Sequence, residues 1–186
     1  DGWARQLQDG VRLPVGEPLE VLDGRAYGLE FTTRYRLRER FFSWISLTMG
    51  RSELGGDPTA FDQPYAISTV ASWDFKPGWN AGLRWRYAAG LPITPVTGSV
   101  YDGDTDSYLP TPGAAYSMRL PDYQKLDLHL ERDLTFRRWN LALYAEVWWV
   151  PVDNNVLYRV YSYDYRQAAD VQGPPVLPLL GARAEL

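Results

Sequence analysis

The sequence has no cysteine and one histidine in its 186 residues. Without cysteine, neither a disulfide framework nor thiolate chemistry can form. Ordinary zinc sites take several histidine, cysteine or carboxylate ligands, so one histidine without a thiol argues against a zinc site built by this chain alone. We therefore expect no disulfide, no zinc site and no cofactor.

The sequence also has no apolar run near the roughly 18 residues that a transmembrane helix needs. Its mean hydropathy is −0.35. A low mean hydropathy does not argue against a membrane β-barrel, because only every second residue of its strands faces lipid. An excess of positive charge is missing too. The net charge of −4 and pI of about 5.0 argue against a nucleic-acid partner.

Aromatic residues, by contrast, are plentiful. They make up 15% of the chain, with 8 Trp and 13 Tyr. Such enrichment is typical of sugar-binding surfaces and of the belts where a protein crosses the membrane interface. Composition alone leaves both interpretations open.

A β-hairpin with two unlike faces is predicted between residues 123 and 150. Apolar and polar residues alternate over 125–131 and again over 139–147, with a short charged turn at 132–138 between them. Since successive strand side chains point to opposite sides, each arm has one apolar and one polar face.

The same alternation predicts strands over 25–38, 41–52, 65–76 and 79–90, and a last strand that ends at Leu186. Residues 1–23 are weakly patterned and are interpreted as a short strand, Gly2–Gln8, followed by a loop. Short turns at 39–40, 77–78 and 132–138 alternate with long connections over 52–64, 91–121 and 151–175. Outer-membrane barrels sort their connections in this way, with short periplasmic turns and long extracellular loops.

The fold expected is therefore all-β, as one domain over 1–186. It is an antiparallel transmembrane β-barrel of about eight strands, or the last eight or so strands of a larger barrel. The polar face is too charged for a dry sandwich core and suits a wet or ion-paired lumen. A soluble β-sandwich is the alternative. The charged residues assigned to the lumen-facing side are Arg34, Arg36, Asp74, Arg84, Arg86, Asp127, His129, Glu131, Glu146, Arg183 and Glu185.

Five segments in order resemble the C-terminal barrel of TonB-dependent outer-membrane receptors, in the group with a carboxypeptidase-regulatory-like extension. They cover about residues 24–186 and read GRAYGLE (24–30), WISLT (44–48), RYAAGLPITP (86–95), YQKLDLH (123–129) and LYAEV (143–147). The resemblance implies a large barrel filled by a plug that imports scarce solutes. This chain would supply its final third, without plug or energy-coupling box. It departs from the family at Trp148-Trp149-Val150-Pro151 and in ending on Leu186 instead of Phe.

Several side chains are candidates for binding. Tyr158, Tyr161, Tyr163 and Tyr165 are candidates for solute contact in a long loop, or extend strands above the membrane. Trp139, Trp148 and Trp149 suit an interface girdle or a partner contact. The arginine pairs at 34/36 and 84/86 either guide an anionic solute or, as we favour, pair with acids on the same face.

Two chemical signals are weaker. Asp102, Asp104 and Asp106 resemble the first half of a calcium loop, but Ser107 and Gly113 stand where an EF-hand needs Gly and Glu. We favour a solvated acidic loop. His129 and Asp127 share a face, yet no nucleophile motif accompanies them, so we do not expect an enzyme.

The expected function is binding or uptake of a solute at the surface of a Gram-negative-type outer membrane. The expected partners are the lipid bilayer, an unknown small-molecule solute, and further strands or a plug from another chain. The alternative is a non-transporting structural barrel subunit that is completed by, or holds, a partner protein. Eight strands alone would leave only a lumen filled with side chains.

Overall fold

A computed structural model describes residues 23–149 and 155–186. Over this part the chain is all-β, and it contains no helix long and apolar enough to span a membrane. The strands, in chain order, are β1 Gly24–Leu37, β2 Phe41–Leu54, β3 Asp57–Pro58, β4 Tyr65–Lys76, β5 Trp79–Ala88, β6 Pro92–Ile93, β7 Val96–Asp102, β8 Ser107–Pro112, β9 Met118–Arg119, β10 Tyr123–Thr135, β11 Asn140–Trp149, β12 Val156–Tyr161, β13 Ala168–Gln172 and β14 Val176–Glu185.

Seven long strands form one antiparallel sheet in the order β1-β2-β4-β5-β10-β11-β14, with short β3 beside β2. The predicted central hairpin is confirmed, with Leu126 opposite Trp149 and Thr135 opposite Asn140. The tight reversal predicted after β1 is also present. Arg38 and Glu39 there have φ of 46° and 56°, the left-handed backbone that a tight hairpin turn requires.

The three long connections carry structure of their own, which the sequence analysis missed. We predicted an irregular loop over 91–121, but it contains the β7–β8 hairpin and the short β6–β9 pair. The 151–175 connection contains the β12–β13 hairpin. In the 91–121 connection, Gly98, Pro110 and Pro112 concealed the strands, because Gly and Pro are depleted from ordinary sheet interiors. All long connections leave one end of the sheet, here called the long-connection end, and all short turns lie at the other, the short-turn end.

The predicted closure into a barrel is not seen. β1 and β14 lie at the two ends of the sheet, and in the described part of the chain neither has a second neighbour. The strand predicted over Gly2–Gln8 lies outside the described residues. An uncovered sheet edge presents unpaired amides and carbonyls, which makes it a template for further strands.

The sheet has almost no buried apolar core. In the described ranges, the apolar residues that are buried are Ala88, Ala89 and Ala142. Large apolar side chains are instead open, with Leu29 exposed to 79% and Leu180 to 86%. Besides the main sheet, the described part holds three two-stranded sheets, of which two are hairpins, and none of them covers this face. A soluble sandwich would bury it against a second sheet.

Aromatic side chains border this apolar face at both ends. At the short-turn end, ring contacts join Tyr35 to Phe41, Trp73 to Phe75 and Phe75 to Trp79. Tyr65, Trp85 and Tyr87 stack at the long-connection end. The eight steps from Trp79 to Tyr87 along β5 span roughly 26 Å at about 3.3 Å per residue. In a strand tilted by about 40° this length would cover roughly 20 Å along the membrane normal, which is close to the ~25 Å apolar band of outer-membrane barrels.

Candidate functional site

The charged residues predicted for one side do share one face of the sheet, called here the polar face. Directly opposite residues of an antiparallel pair point to the same side. One register row joins Arg34 to Trp44, Val70, Arg84, Asp127, Trp148 and Leu177 across all seven strands. The following row brings Gly82, His129 and Glu146 side by side. The register therefore gathers side chains that are more than 100 residues apart in sequence.

A chain of carboxylates and cations crosses β10, β11 and β14 on the polar face. His129 Nδ1 lies 3.0 Å from Glu146 Oε1, and its Nε2 lies 3.8 Å from Glu131 Oε2. Glu131 continues the chain to Arg183 at 3.9 Å. Both ring nitrogens of His129 thus face glutamates, and its ring stacks on Tyr144 at 6.1 Å. This is the polar wall expected from the sequence. It brings no serine nucleophile to His129 in the described residues.

Asp127 is the anchor of the neighbouring group. Arg84 Nε and Nη2 donate to its Oδ2 at 2.9 and 2.6 Å, and Lys125 Nζ lies 3.2 Å from its Oδ1. Lys125 also lies over the Trp148 ring, 4.4 Å from the centroid. Trp148 in turn donates its indole N–H to Glu146 at 3.3 Å.

The favoured expectation that the arginines pair with acids is confirmed for Arg84 and wrong for the other three. Arg34, Arg36 and Arg86 have no carboxylate within 4.0 Å in the described ranges. Arg36 lies over the Phe42 ring and Arg86 over the Tyr123 ring. The reason is positional, because Arg34 and Arg36 stand on β1, away from the acids of β10 and β11, and Arg86 stands opposite Lys125 instead of an acid. Of the two remaining predicted acids, Asp74 accepts a 2.7 Å hydrogen bond from Asn80, and Glu185 lies 3.4 Å from Arg183.

The long-connection end is fixed by a buried carboxylate that the sequence analysis missed. Asp62 is fully buried. It accepts the Ser52 amide at 2.7 Å and contacts the Arg119 guanidinium, with Arg51 at 3.5 Å. Arg119 also donates to the Gly90 carbonyl at 3.0 Å. Burial raises the pKa of Asp62, but the Ser52 amide and Arg119 together lower it more, so the net pKa is below its usual range.

A second anchor missed by the sequence analysis ties this end to β10. Asp122 accepts hydrogen bonds from the hydroxyls of Tyr87 at 2.6 Å and Tyr65 at 2.7 Å, which lower the pKa of its carboxyl. Asn155 pairs with the backbone of Gln124 through its side-chain oxygen and nitrogen, both at 2.8 Å. No local sequence pattern marks these residues, since an acid or amide in a polar loop looks like any solvated residue.

The tyrosines predicted to contact solute mainly join two hairpins. Tyr163 meets Tyr108 edge to face at 5.6 Å and donates its hydroxyl to the Asp106 carbonyl. The Ser99 hydroxyl donates to the Asp164 carbonyl at 2.6 Å, and the Val96 amide donates to the Tyr161 hydroxyl at 3.4 Å. Tyr165 packs on Tyr161 at 6.0 Å. Of the four, Tyr158 makes no side-chain hydrogen bond or ring contact with the described residues, and it is 56% exposed.

The acidic loop does not assemble a metal site. Asp102 accepts the Asp104 amide at 3.0 Å and the Thr105 hydroxyl at 2.9 Å, and Asp106 accepts the Tyr101 hydroxyl at 2.6 Å. These carboxylates therefore stabilise their own turn. In residues 23–149 and 155–186, no group of three or more His, Asp or Glu side chains could hold a metal ion.

The three tryptophans assigned to a girdle or partner contact occupy different places. Trp139 stacks on Phe136 at 4.5 Å in the β10–β11 turn, and Trp149 lies opposite Leu126 and Val176 on the apolar face. Trp148 lies on the polar face, opposite Asp127, and thus on the other side of the sheet from Trp149. The next departures from the resembled family, Val150 and Pro151, lie outside the described residues.

No protein-family model, curated protein or solved structure matches this chain.

Proposed function

We propose that this chain is a wall segment of an integral outer-membrane β-barrel that binds or takes up a solute at the cell surface. The observation that carries the proposal is the uncovered apolar face. Between its two aromatic borders this face carries no charged side chain on any of the seven strands; the register places Arg51 beyond the border at the long-connection end and Lys76 and Arg132 at the short-turn end. Arg132 lies over Trp79 and donates to the Pro77 carbonyl.

An apolar surface of this extent is costly in water, because exposed apolar patches on soluble monomers rarely exceed a few hundred Å². Lipid removes that cost without covering the face with protein. The aromatic borders at both ends then fall at the two membrane interfaces, where Trp and Tyr are favoured. The strands of the main sheet have 10 to 14 residues, enough for tilted spans.

Solute handling is supported by the polar face and by the resemblance to TonB-dependent receptors. Charged groups line the side away from the apolar face, and the β7–β8 and β12–β13 hairpins lie together at the long-connection end. In outer-membrane barrels that end is extracellular, where capture takes place. A plug and further strands would come from elsewhere.

The rival function is a structural barrel subunit that transports nothing. The open edges of β1 and β14 favour some completion by further strands, whatever the function. Native mass spectrometry of the protein released from its membrane tests the form of the rival in which the chain acts alone. A particle of one 21.2 kDa chain would contradict the receptor, which requires a plug and further strands, whereas a heavier particle fits both functions.

A pair of adjacent substitutions tests the lipid contact. Leu47 lies on the apolar face between Phe31 and Ile67, and Thr48 lies on the polar face between Glu30 and Ala66. Leu47→Arg places a charge in lipid in the register row of Tyr87, towards one interface, and should cost about 1–2 kcal/mol of folding free energy in vesicles, between the values for the bilayer midplane and the interfaces. Thr48→Arg, the matched control, places the same charge beside Glu30 and should cost under about 1 kcal/mol.

The measurement is the folded fraction in lipid vesicles across a urea titration. Equal, small effects of the two substitutions would show that Leu47 meets water and would overturn the membrane proposal. A larger effect of Thr48→Arg would mean that the two faces have been assigned the wrong way round.

A further inference from the structure

An open cavity of about 340 Å³ lies on the polar face between β2, β4, β5 and β10. Arg86, Lys125, Trp44, Ser68 and Tyr123 line it. Its volume is at the lower end of the range for small-molecule sites, about 300–1,000 Å³. The cavity is separate from the His129–Glu131–Glu146 chain, which lines another depression.

The charges around this cavity are unbalanced. Arg86 stands directly opposite Lys125 across the β5–β10 pair, and Arg84 is two residues along the same face. Asp127 is the one carboxylate in the lining, and it already contacts both Arg84 and Lys125. Like charges directly opposite on neighbouring strands repel. Arg86 therefore has an unfavourable neighbour and no carboxylate partner in the described part of the chain.

A second, independent feature is found in the lining of the same cavity. In the described residues, the indole Nε1–H of Trp44 is buried and has no hydrogen-bond acceptor. Asp127 Oδ1 is also buried without a hydrogen bond, but Lys125 Nζ lies 3.2 Å from it and balances its charge. A buried donor without an acceptor has given up its hydrogen bond to water and gained none in the protein, and such atoms are uncommon in folded proteins. Tyr123, whose ring centroid is 5.8 Å from the Arg86 guanidinium carbon, holds that side chain over one wall.

We infer that this cavity binds the carboxylate or phosphate group of a small anionic solute, with Arg86 as its principal ligand. Arg86 offers a planar fork that fits either oxyanion with two hydrogen bonds. Lys125 adds a second charge, and the Trp44 indole donates the hydrogen bond that it cannot make within the protein. The inference rests on the proposed function and adds a class of solute to it.

Isothermal titration of the detergent-solubilised protein tests this site. Inorganic phosphate and citrate are the probes, each against sodium chloride of equal ionic strength. We expect saturable binding of at least one probe, and the probe that binds tells phosphate from carboxylate chemistry. Arg86→Gln should weaken binding about tenfold or more. Trp44→Phe, which keeps the ring but removes the donor, should weaken it severalfold.

Arg36→Gln is the matched control. Arg36 is also on the polar face, over a ring and without a carboxylate, but it lies outside this cavity. Its substitution should leave affinity within about twofold. No saturable binding to the wild type, or equal losses in Arg36→Gln and Arg86→Gln, would overturn the site. If Arg86→Gln does not fold, Arg86→Lys serves instead, since it keeps the charge and loses the fork.

Thermal unfolding supplies a second readout. Phosphate or citrate should raise the midpoint of the wild type and not that of Arg86→Gln, because only a ligand that binds the folded state stabilises it. Failure of this site and failure of the membrane proposal are distinguishable. A chain that passes the Leu47 and Thr48 test without binding anions loses only the site. If the protein binds anions in detergent but fails the Leu47 and Thr48 test, the membrane proposal is wrong and the anion site stands.

Discussion

Gly90 lies just after β5 at a point where two backbone segments almost touch. A Cβ atom added there would be 1.8 Å from the Leu120 carbonyl oxygen and 2.7 Å from that of Pro121. Backbone atoms cannot move away to relieve such a clash, as the end of a flexible side chain could. The residue is thus required by the close approach of the two ends of the β5–β10 connection.

Gly90→Ala should therefore destabilise the fold by about 1–3 kcal/mol, as expected for overpacking against a rigid neighbour. Gly98→Ala is the matched control, because no atom lies within 4 Å of its added Cβ. Urea unfolding in vesicles compares them. Equal midpoints for the two variants would show that the connection does not pack as described.

The Asp62 carboxylate should make the 55–64 connection sensitive to acid. Its folded pKa lies below the ordinary value of 3.8. The stabilisation of the fold by ionised Asp62 is therefore complete above the pKa of Asp62 in the unfolded chain, and it is lost as the pH falls through the pKa of Asp62 in the folded protein. Cysteine is absent from the sequence, so a cysteine at position 60 can carry a single spin label whose mobility reports the connection.

We expect that label to stay immobile at neutral pH and to loosen only below about pH 4. Asp62→Asn should loosen it at all pH values, because the buried ion pair is gone, at a cost of about 1–3 kcal/mol. If the mobility of the label rises near neutral pH, or still increases in acid in the Asp62→Asn variant, then a group other than Asp62 controls the connection.

At the scale of elements, alternation predicted the main sheet well because side chains in strands repeat every two residues whatever their partners are. The β10–β11 hairpin and the short turns follow from local residues. The β7–β8 hairpin was missed because Pro110, Pro112 and Gly98 depart from the strand composition. The anchors at Asp62 and Asp122 depend on partners up to 57 residues away, which no local pattern can reveal.

The packing between the two outer hairpins should be measurable as a coupling energy. Tyr108→Leu and Tyr163→Leu remove an edge-to-face contact, so a double-mutant cycle should give about 0.5–1.5 kcal/mol. A cycle between Tyr108 and the exposed Tyr158 is the control and should give about zero. Similar couplings in both cycles would contradict the docking of β12–β13 on β7–β8.

At the scale of the whole molecule, the stability of the sheet depends more on what surrounds it than on a buried apolar core. Three small buried apolar residues in the described ranges cannot hold seven strands together in water. The sequence predicted two unlike faces because alternation fixes them. It could not predict whether the sheet closes, because closure depends on neighbours of β1 and β14 that local patterns do not specify.

The central claim is that the apolar face meets lipid, and a spin-label scan along β4 tests it most directly. Single cysteines at 67 to 73 would be labelled in vesicles and their collisions with oxygen, which concentrates in lipid, measured. We predict a period of two, with high accessibility at Ile67, Thr69, Ala71 and Trp73 and low accessibility at Ser68, Val70 and Ser72. Uniform accessibility, or contact of positions 67 to 73 with a water-soluble nickel chelate alone, would contradict the account.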